Sequence, residues 1–293
     1  MLRRILVTLA FAAAALVAAP TMAQTAGDNP MSTPSSTGTV PVGDVEIHYE
    51  IHGEGPPLVL LHGGVDPSQT FGAPLAAMAG THKVIAIHLR GHGLSTDSEA
   101  PWSAELMADD VAVVLGQLGI GKARFMGYSL GAAVGLQVAI RHPELVEKLV
   151  SVSVAFSTDG DYPEVRQAFE QMPGMAGAIG QQLAASPLAQ LYPGVNWETM
   201  MRKSGAMNLP ARDWSEGIKA ITAPTLLVFA DADSIRPQHM VEFWTLLGGG
   251  QRDAGFDGSL RPASQLAIIP NTTHYSLIQS PLLTEVATAF LAP

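Results

Sequence analysis

The chain has 293 residues, of which 47% are hydrophobic and 14% are charged, and its formal net charge is −10. That length and apolar content allow a large buried core and exclude a disordered chain, while the acidic balance argues against a nucleic-acid-binding protein, which usually carries a basic face. The absence of cysteine excludes disulfide bonds and lipid attachment through an N-terminal cysteine.

The N-terminus has the pattern of a secretory signal peptide. Arg3 and Arg4 precede an apolar stretch at residues 5–19, which is followed by small residues suited to signal peptidase. We therefore expect residues 1–23 to be a signal peptide and the protein to be exported, either periplasmic or secreted, with no membrane span after cleavage. A retained membrane anchor is the alternative. Residues 24–38 are rich in Ser, Thr, Pro and Gly and predict a flexible leader.

From residue 39 to 293, short apolar runs alternate with helical patterns in a single predicted domain. The predicted strands are "VEIHYEI", "PLVLLH", "KVIAIHL", "ARFMGY", "VEKLVSVSVA", "PTLLVFA" and "SQLAIIP". The clearest helix follows Ser103, a suitable N-cap, and places its apolar residues on one face. This alternation predicts an α/β fold with a mostly parallel sheet and helices on both faces.

Two stretches interrupt the alternation. Residues 156–222 contain no buried strand run and predict a short helical insertion over the sheet. Its five methionines favour ordinary core filling, with an apolar acyl pocket as the alternative. Residues 248–263 are glycine-rich and follow a helix that returns to the far edge of the sheet, so we expect an exposed connection and not an active-site lid.

Ser129 lies between Gly127 and Gly131, at a predicted strand-to-helix junction. A serine on such a sharp turn adopts a strained backbone that lifts its hydroxyl clear of the sheet, and glycines avoid collisions across the turn. The following helix directs free N–H groups, beginning with that of Leu130, at the same place. The pattern therefore predicts a nucleophilic serine with Leu130 N–H as one oxyanion donor.

A serine nucleophile needs a base and an orienting acid. His274 follows the last predicted strand, at the sheet edge where Ser129 is exposed, whereas His142 lies at the far end of the helix after Ser129. We therefore predict His274 as the base. Asp231 and Asp233 both end the preceding strand, and their spacing of two residues does not separate them as the acid.

From about residue 44 onward the chain resembles the α/β-hydrolase superfamily, in its single-domain esterase and lactonase-like branch. The landmarks are "YEIHGEGPPLVLLHGG", "LRGHGLS", "GYSLG", "PTLLVFADADSIRP" and "PNTTHYSLIQSP", in that order. The resemblance implies about eight strands with a short helical cap. It also favours Asp233 as the acid, because Pro237 follows at the family's spacing, and leaves Asp231 as the alternative.

The resemblance further implies a second oxyanion donor in the "HGG" turn, at Gly64, with Val65 as the neighbouring alternative. In the family, the histidine at position 62 is structural. The sequence departs from the family pattern at His88, where an aspartate is usual. His88 and His92 straddle a strand end and do not share a helix face, so we expect no metal, and no cofactor is implied.

These features predict a serine hydrolase that acts on a carboxylic ester, a lactone or a similar small acyl compound. Two alternatives remain. The same three residues could serve acyl transfer, a perhydrolase reaction like that of cofactor-free haloperoxidases, or carbon–carbon bond hydrolysis. The chain could instead be a non-catalytic ligand-binding protein that keeps the pocket. Epoxide and haloalkane hydrolases would require aspartate at position 129. The oligomeric state is not predicted.

Overall fold

The central sheet forms from the apolar runs that predict strands. The structure, a computed structural model, describes residues 33–65 and 71–292. Its strands are β1 (Ser36–Val42), β2 (Val45–His52), β3 (Pro57–Leu61), β4 (Lys83–Ile87), β5 (Ala123–Tyr128), β6 (Val146–Val152), β7 (Thr225–Ala232) and β8 (Gln265–Thr273). They lie in the order β1-β2-β4-β3-β5-β6-β7-β8. β2 is antiparallel to β1 and β4, and the other five pairs are parallel. The predicted eight-stranded, mostly parallel sheet is confirmed.

Within the described ranges, α-helices connect the strands and cover both faces of the sheet. They are α1 (Gly72–Ala79), α2 (Ala104–Gln117), α3 (Leu130–Arg141), α4 (Pro163–Ala184), α5 (Pro187–Leu191), α6 (Trp197–Met207), α7 (Ser215–Ala220), α8 (Pro237–Leu246) and α9 (Pro281–Leu291). Ser103 caps α2 as predicted, because its side chain accepts a hydrogen bond from the N–H of Leu106.

The core has two layers because successive strand residues point to opposite faces of the sheet. Val59 and Leu61 of β3 pack on the face that also buries residues of α2, α3 and α8. Leu58 and Leu60 pack on the other face, against α1 and α9. All four side chains are fully buried. This two-sided burial explains why β3 is apolar throughout instead of alternating.

The N-terminal boundary differs from the sequence prediction. The predicted signal peptide, residues 1–23, and the first part of the predicted leader lie outside the described residues. The leader was expected to reach residue 38, but β1 begins at Ser36, which pairs with Ile51. The backbone hydrogen bonds to β2 order this polar stretch, an effect that its composition does not reveal. No helix in the described ranges has the length and hydropathy needed to cross a membrane.

Helices α4 to α7 occupy the region predicted as the cap, residues 156–222. α4 and α6 pack closely because glycines lie at their contacts: Gly180 faces the backbone of Glu198, and Gly205 faces the ring of Pro173. The cap is tied to the sheet by an isolated β-bridge between Asp161 and Ile235, beside the end of β7.

The C-terminal sequence "SLIQSPLLTEVATAFL" favours one continuous helix from Ser276, but the structure divides this segment in two. A single 3-10 turn, Leu277–Gln279, precedes α9, which begins at Pro281. Proline lacks the N–H that would continue a helix from the preceding turn, yet it suits the first helical position.

Candidate active site

Ser129 sits at the turn between β5 and α3, in a backbone conformation that is rare for residues other than glycine. Its φ is 52° and its ψ is −112°, and its N–H donates to the carbonyl of Val152 at 2.9 Å. A Cβ at Gly127 would overlap the carbonyl of Gly131, as expected for a collision across the turn. A Cβ at Gly131 would instead overlap the carbonyl of Leu61 in β3. The second glycine therefore lets α3 approach the sheet.

His274 follows β8 directly and reaches the same edge of the sheet. Its Nε2 lies 3.1 Å from Oγ of Ser129. The hydroxyl of Tyr128 donates to the carbonyl oxygen of His274 at 2.7 Å, which fixes the backbone of the loop that carries the imidazole. The structure thus brings the predicted nucleophile and the predicted base within hydrogen-bond distance.

Of the two candidate acids, only Asp233 contacts His274. Its Oδ1 lies 3.4 Å from Nδ1 of His274, and its buried carboxylate accepts the N–H groups of Ala230 at 2.9 Å and Ser234 at 2.7 Å. Burial raises the pKa of Asp233, but the hydrogen bonds and the charge of His274, with further backbone and side-chain donors, bring it below its ordinary value. The site therefore favours the ionised carboxylate.

Asp231 has a different position and a different set of partners. Its side chain is exposed, and its Oδ1 accepts the N–H of Thr272 at 3.0 Å. Backbone hydrogen bonds from Thr272 and Asn271 lower the pKa of Asp231. Asn271 itself has a φ of 58°. Asp231 therefore stabilises the strained turn before His274, and its hydrogen bond goes to that turn and not to the imidazole.

A further side chain, that of Ser153, lies between the predicted base and the predicted acid. It follows β6 with a φ of 54° and is 1% exposed. Its Oγ is 2.6 Å from Nδ1 of His274 and 2.7 and 2.8 Å from the two carboxylate oxygens of Asp233. No motif marks this serine; only its position at the carboxyl end of a strand next to β5 could have indicated it.

The proposed oxyanion turn rests on two buried histidines. Nδ1 of His62 donates to the carbonyl of Gly63 at 2.7 Å, and Nε2 of His92 lies 2.9 Å from the carbonyl oxygen of Gly64. The described peptide bonds are all trans, so each N–H points away from the carbonyl of its own peptide unit. The N–H groups of Gly64 and Val65 are therefore directed away from the histidines, and both are candidate donors beside Leu130.

Three buried side chains beneath this turn are of the types that bind metals, but their hydrogen bonds do not suit a metal site. Donor atoms of His48, Glu50 and His88 lie within 4.8 Å of one another. The N–H of Leu94, however, donates to Nδ1 of His88 at 3.0 Å. Burial lowers the pKa of His88 to about 3, so the ring is neutral and carries its proton on Nε2, the atom that faces Glu50. That nitrogen carries a hydrogen and lies 3.9 Å from the Glu50 carboxylate, so it does not fit a metal ligand.

His92 is equally unsuited to hold a metal. Its Nδ1 lies 2.9 Å from the carbonyl of Arg90 and its Nε2 lies 2.9 Å from that of Gly64, so both ring nitrogens face acceptors. Burial lowers the pKa of His92, and the two carbonyl contacts oppose this. The ring is engaged in holding the turn.

A polar cleft lies at the base of the cap, next to the segment that carries the acid. Arg166 and Arg212 line it together with Asp161, and Arg212 lies 3.7 Å from the Asp161 carboxylate. Burial raises the pKa of Asp161, and the nearby Arg212 opposes that shift. The N–H of Tyr162 donates to the carbonyl of Ser234, which connects this cleft to the candidate acid.

Comparison with known proteins agrees with this architecture. Residues 56–192 match the family model described as "alpha/beta hydrolase fold". The chain is 31% identical over 237 residues to "Putative carbamate hydrolase RutD" of Azorhizobium caulinodans, covering 72% of this chain and 85% of that protein. It is 25% identical over 268 residues to 2-(acetamidomethylene)succinate hydrolase of Mesorhizobium japonicum, covering 84% and 91%.

Among solved structures, MGS-M2, an α/β hydrolase from a Medee basin deep-sea metagenome library, superposes with a TM-score of 0.71. The identity is 18%, and the alignment covers 87% of this chain and 98% of that one, so the likeness concerns the fold. The match to the relative at 31% identity extends over most of both chains. The chain therefore belongs to the α/β-hydrolase family.

Proposed function

We propose that this protein is a serine hydrolase that cleaves a carboxylic ester, a lactone or a similar acyl compound. The observation that carries the proposal is the distance of 3.1 Å between Oγ of Ser129 and Nε2 of His274, at a strained turn beside a helix N-terminus. Relatives named as hydrolases support the broader assignment of hydrolase activity.

The mechanism follows from the proton positions that this geometry allows. Ser129 attacks the substrate carbonyl carbon while His274 Nε2 takes the hydroxyl proton, and the carbonyl oxygen becomes an oxyanion. The N–H of Leu130, with that of Gly64 or Val65, stabilises the oxyanion, and each donor contributes about 3 to 4 kcal/mol to lowering the barrier.

The tetrahedral intermediate then collapses to an acyl-enzyme. His274 returns its proton to the leaving group, and the bond between the carbonyl carbon and the leaving group breaks. Water, deprotonated by His274, attacks the acyl-enzyme, and the bond between the acyl carbon and Oγ of Ser129 breaks to release the carboxylic acid. His274 returns the proton to Oγ, which regenerates Ser129. Asp233 keeps the imidazole in the required tautomer and stabilises its charged form.

The named relatives widen the range of leaving groups that deserve testing. Their names specify a carbamate and an acetamidomethylene succinate, in which an acyl carbon is bonded to nitrogen. The same nucleophile and base would serve such a substrate, because only the atom that receives the His274 proton changes. Acyl transfer, perhydrolysis and carbon–carbon hydrolysis are separated from ester hydrolysis by product analysis with competing nucleophiles.

Ser129→Ala tests the proposal directly. The substrates are 4-nitrophenyl esters of graded acyl length, a lactone and a carbamate. We expect the wild-type protein to hydrolyse at least one of these classes. The variant should lose on the order of 10⁶-fold in kcat, as loss of the nucleophile does in a related triad, and should retain its circular dichroism spectrum. Ser151→Ala, at a buried serine of β6 outside the site, is the matched control. A Ser129→Ala variant with a tenth of the normal activity would exclude this mechanism.

A further inference from the structure

We propose that Ser153 is a positioning residue that carries the hydrogen-bond connection between His274 and Asp233. The inference rests on the proposed function, in which His274 is the base and Asp233 the acid. The hydrogen bonds would then run in series from Ser129 to His274, from His274 to Ser153 and from Ser153 to Asp233.

The distances favour Ser153 as the direct partner of the imidazole. Nδ1 of His274 lies 2.6 Å from Oγ of Ser153 but 3.4 Å from Oδ1 of Asp233. The second value is at the outer limit for an N–H···O hydrogen bond, and the first is as short as a strong one. A second hydroxyl, that of Ser234, is also near Nδ1, at the longer distance of 3.2 Å.

Counting protons gives the direction of the connection. Nε2 of His274 must accept the Ser129 proton, so in the neutral ring Nδ1 carries the hydrogen and is a donor. Oγ of Ser153 accepts this hydrogen. The single hydroxyl hydrogen of Ser153 is then free to bond to Asp233, whose oxygens lie at 2.7 and 2.8 Å and only accept. Each group has the role that its chemistry permits.

The backbone holds Ser153 in place at a cost in conformation. Its φ of 54° is uncommon for a residue with a Cβ, and its N–H donates to the carbonyl of Val228 at 2.8 Å. Ser129 is strained in the same way at the end of the neighbouring strand β5. Strained residues persist where the surrounding structure or the function requires them, and here the strain directs the hydroxyl between base and acid.

In the reaction, Ser153 forms and breaks no covalent bond. When His274 takes the Ser129 proton at Nε2, the ring becomes positively charged and its Nδ1 hydrogen stays on the ring. Two short hydrogen bonds, from Nδ1 to Ser153 and from Ser153 to Asp233, then connect the carboxylate to that charge and stabilise it. Loss of the hydroxyl should therefore reduce turnover and leave substrate binding unchanged.

Two substitutions separate the hydroxyl from the backbone strain. Ser153→Ala removes the hydroxyl and keeps the strain, whereas Ser153→Gly removes the hydroxyl and relieves the strain. Ser151→Ala is the matched control, because Ser151 is equally buried two residues earlier, within β6, and its hydroxyl has no hydrogen-bond partner.

We expect both Ser153 variants to lower kcat by between about 10-fold and about 1,000-fold, with KM within about twofold of the wild type. That loss is smaller than the roughly 10⁴-fold loss caused by replacing the acid in a related triad. Ser151→Ala should keep kcat within about twofold. The proposal would be overturned if Ser153→Gly kept the wild-type kcat, or if the Ser153 variants changed KM and left kcat unchanged.

A spectroscopic measurement tests the same hydrogen bond without any substrate. A short hydrogen bond at His274 Nδ1 should give a downfield proton NMR signal that is absent in His274→Gln and moves upfield in both Ser153 variants. An unchanged signal in Ser153→Ala would overturn the proposal. This readout does not require hydrolysis, so it distinguishes a wrong role for Ser153 from a failure of the proposed function, which the Ser129→Ala comparison detects.

Discussion

At the scale of single residues, the candidate site combines positions that motifs reveal with positions that only the fold reveals. Ser129 and His274 could be predicted, because a glycine-flanked serine and a histidine after the last strand have defined places in this topology. Asp231 and Asp233 could not be separated by spacing alone; burial and hydrogen bonding distinguish them. Ser153 was missed because a serine at a strand end carries no local signal of strain or contact.

The difference between the two aspartates leads to a prediction at this scale. Asp233→Asn should lower kcat by on the order of 10⁴-fold, because the amide cannot hold the imidazole in the same tautomer as the carboxylate. Asp231→Asn should keep most of the activity, because Asp231 contacts the turn at Thr272 and not His274. Steady-state kinetics of the two variants measure this ranking, and the reverse order would make Asp231 the acid.

At the scale of elements, alternation of apolar runs and helices was sufficient to predict the sheet, because parallel strands buried on both faces have a distinctive composition. The pairing of β1 with β2 was underestimated, since a Ser- and Thr-rich strand depends on its partner for order. Four of the five methionines of the cap agree with core filling: Met200 and Met201 are buried, and Met172 and Met207 pack against the same core.

The connection before β8, residues 248–263, is far from the candidate site along the strand. It precedes the amino end of β8, whereas His274 follows the carboxyl end, and nine extended residues separate them, a span of about 30 Å. Phe256 in this loop is fully exposed. Trp244 contacts both ends of the loop, through Gly249 and the carbonyl of Ser264.

We therefore expect deletion of residues 251–259 to change KM for small esters by less than about twofold. The loop ends are already close, so the deletion should also leave the fold intact. Full-length Phe256→Ala is the control for loss of the exposed aromatic ring alone. A several-fold rise in KM in the deletion variant would mean that this loop reaches the substrate.

At the scale of the whole molecule, seven of the nine histidines are buried, and this burial could not be predicted from the sequence. Burial lowers the pKa of His88 to about 3 and that of His239 to about 4, and it also lowers the pKa of His48, His62 and His92. These rings are neutral in the folded protein over a pH range in which an unfolded chain would protonate them near pH 6.5.

The folded protein should therefore lose stability as the pH falls from about 7 to about 4. The unfolded state binds more protons in this window, so the free energy of unfolding decreases with decreasing pH. At pH 5, which is about 1.5 units below the unfolded pKa, His88 and His239 should each account for a loss of about 2 kcal/mol. Urea unfolding at pH 7 and pH 5 measures the difference. His239→Phe should have a smaller pH dependence than the wild type, and equal dependence would contradict this assignment.

If Ser129 is an activated nucleophile, as we propose, a reagent that reacts with activated serines should label it. The protein is treated with diisopropyl fluorophosphate, digested and examined by mass spectrometry, with His274→Gln as the control in which the base is absent. We expect one phosphoryl adduct per chain, on the peptide that contains Ser129, and much slower labelling of the control. An adduct on another residue, or complete loss of hydrolysis without any adduct on Ser129, would contradict it.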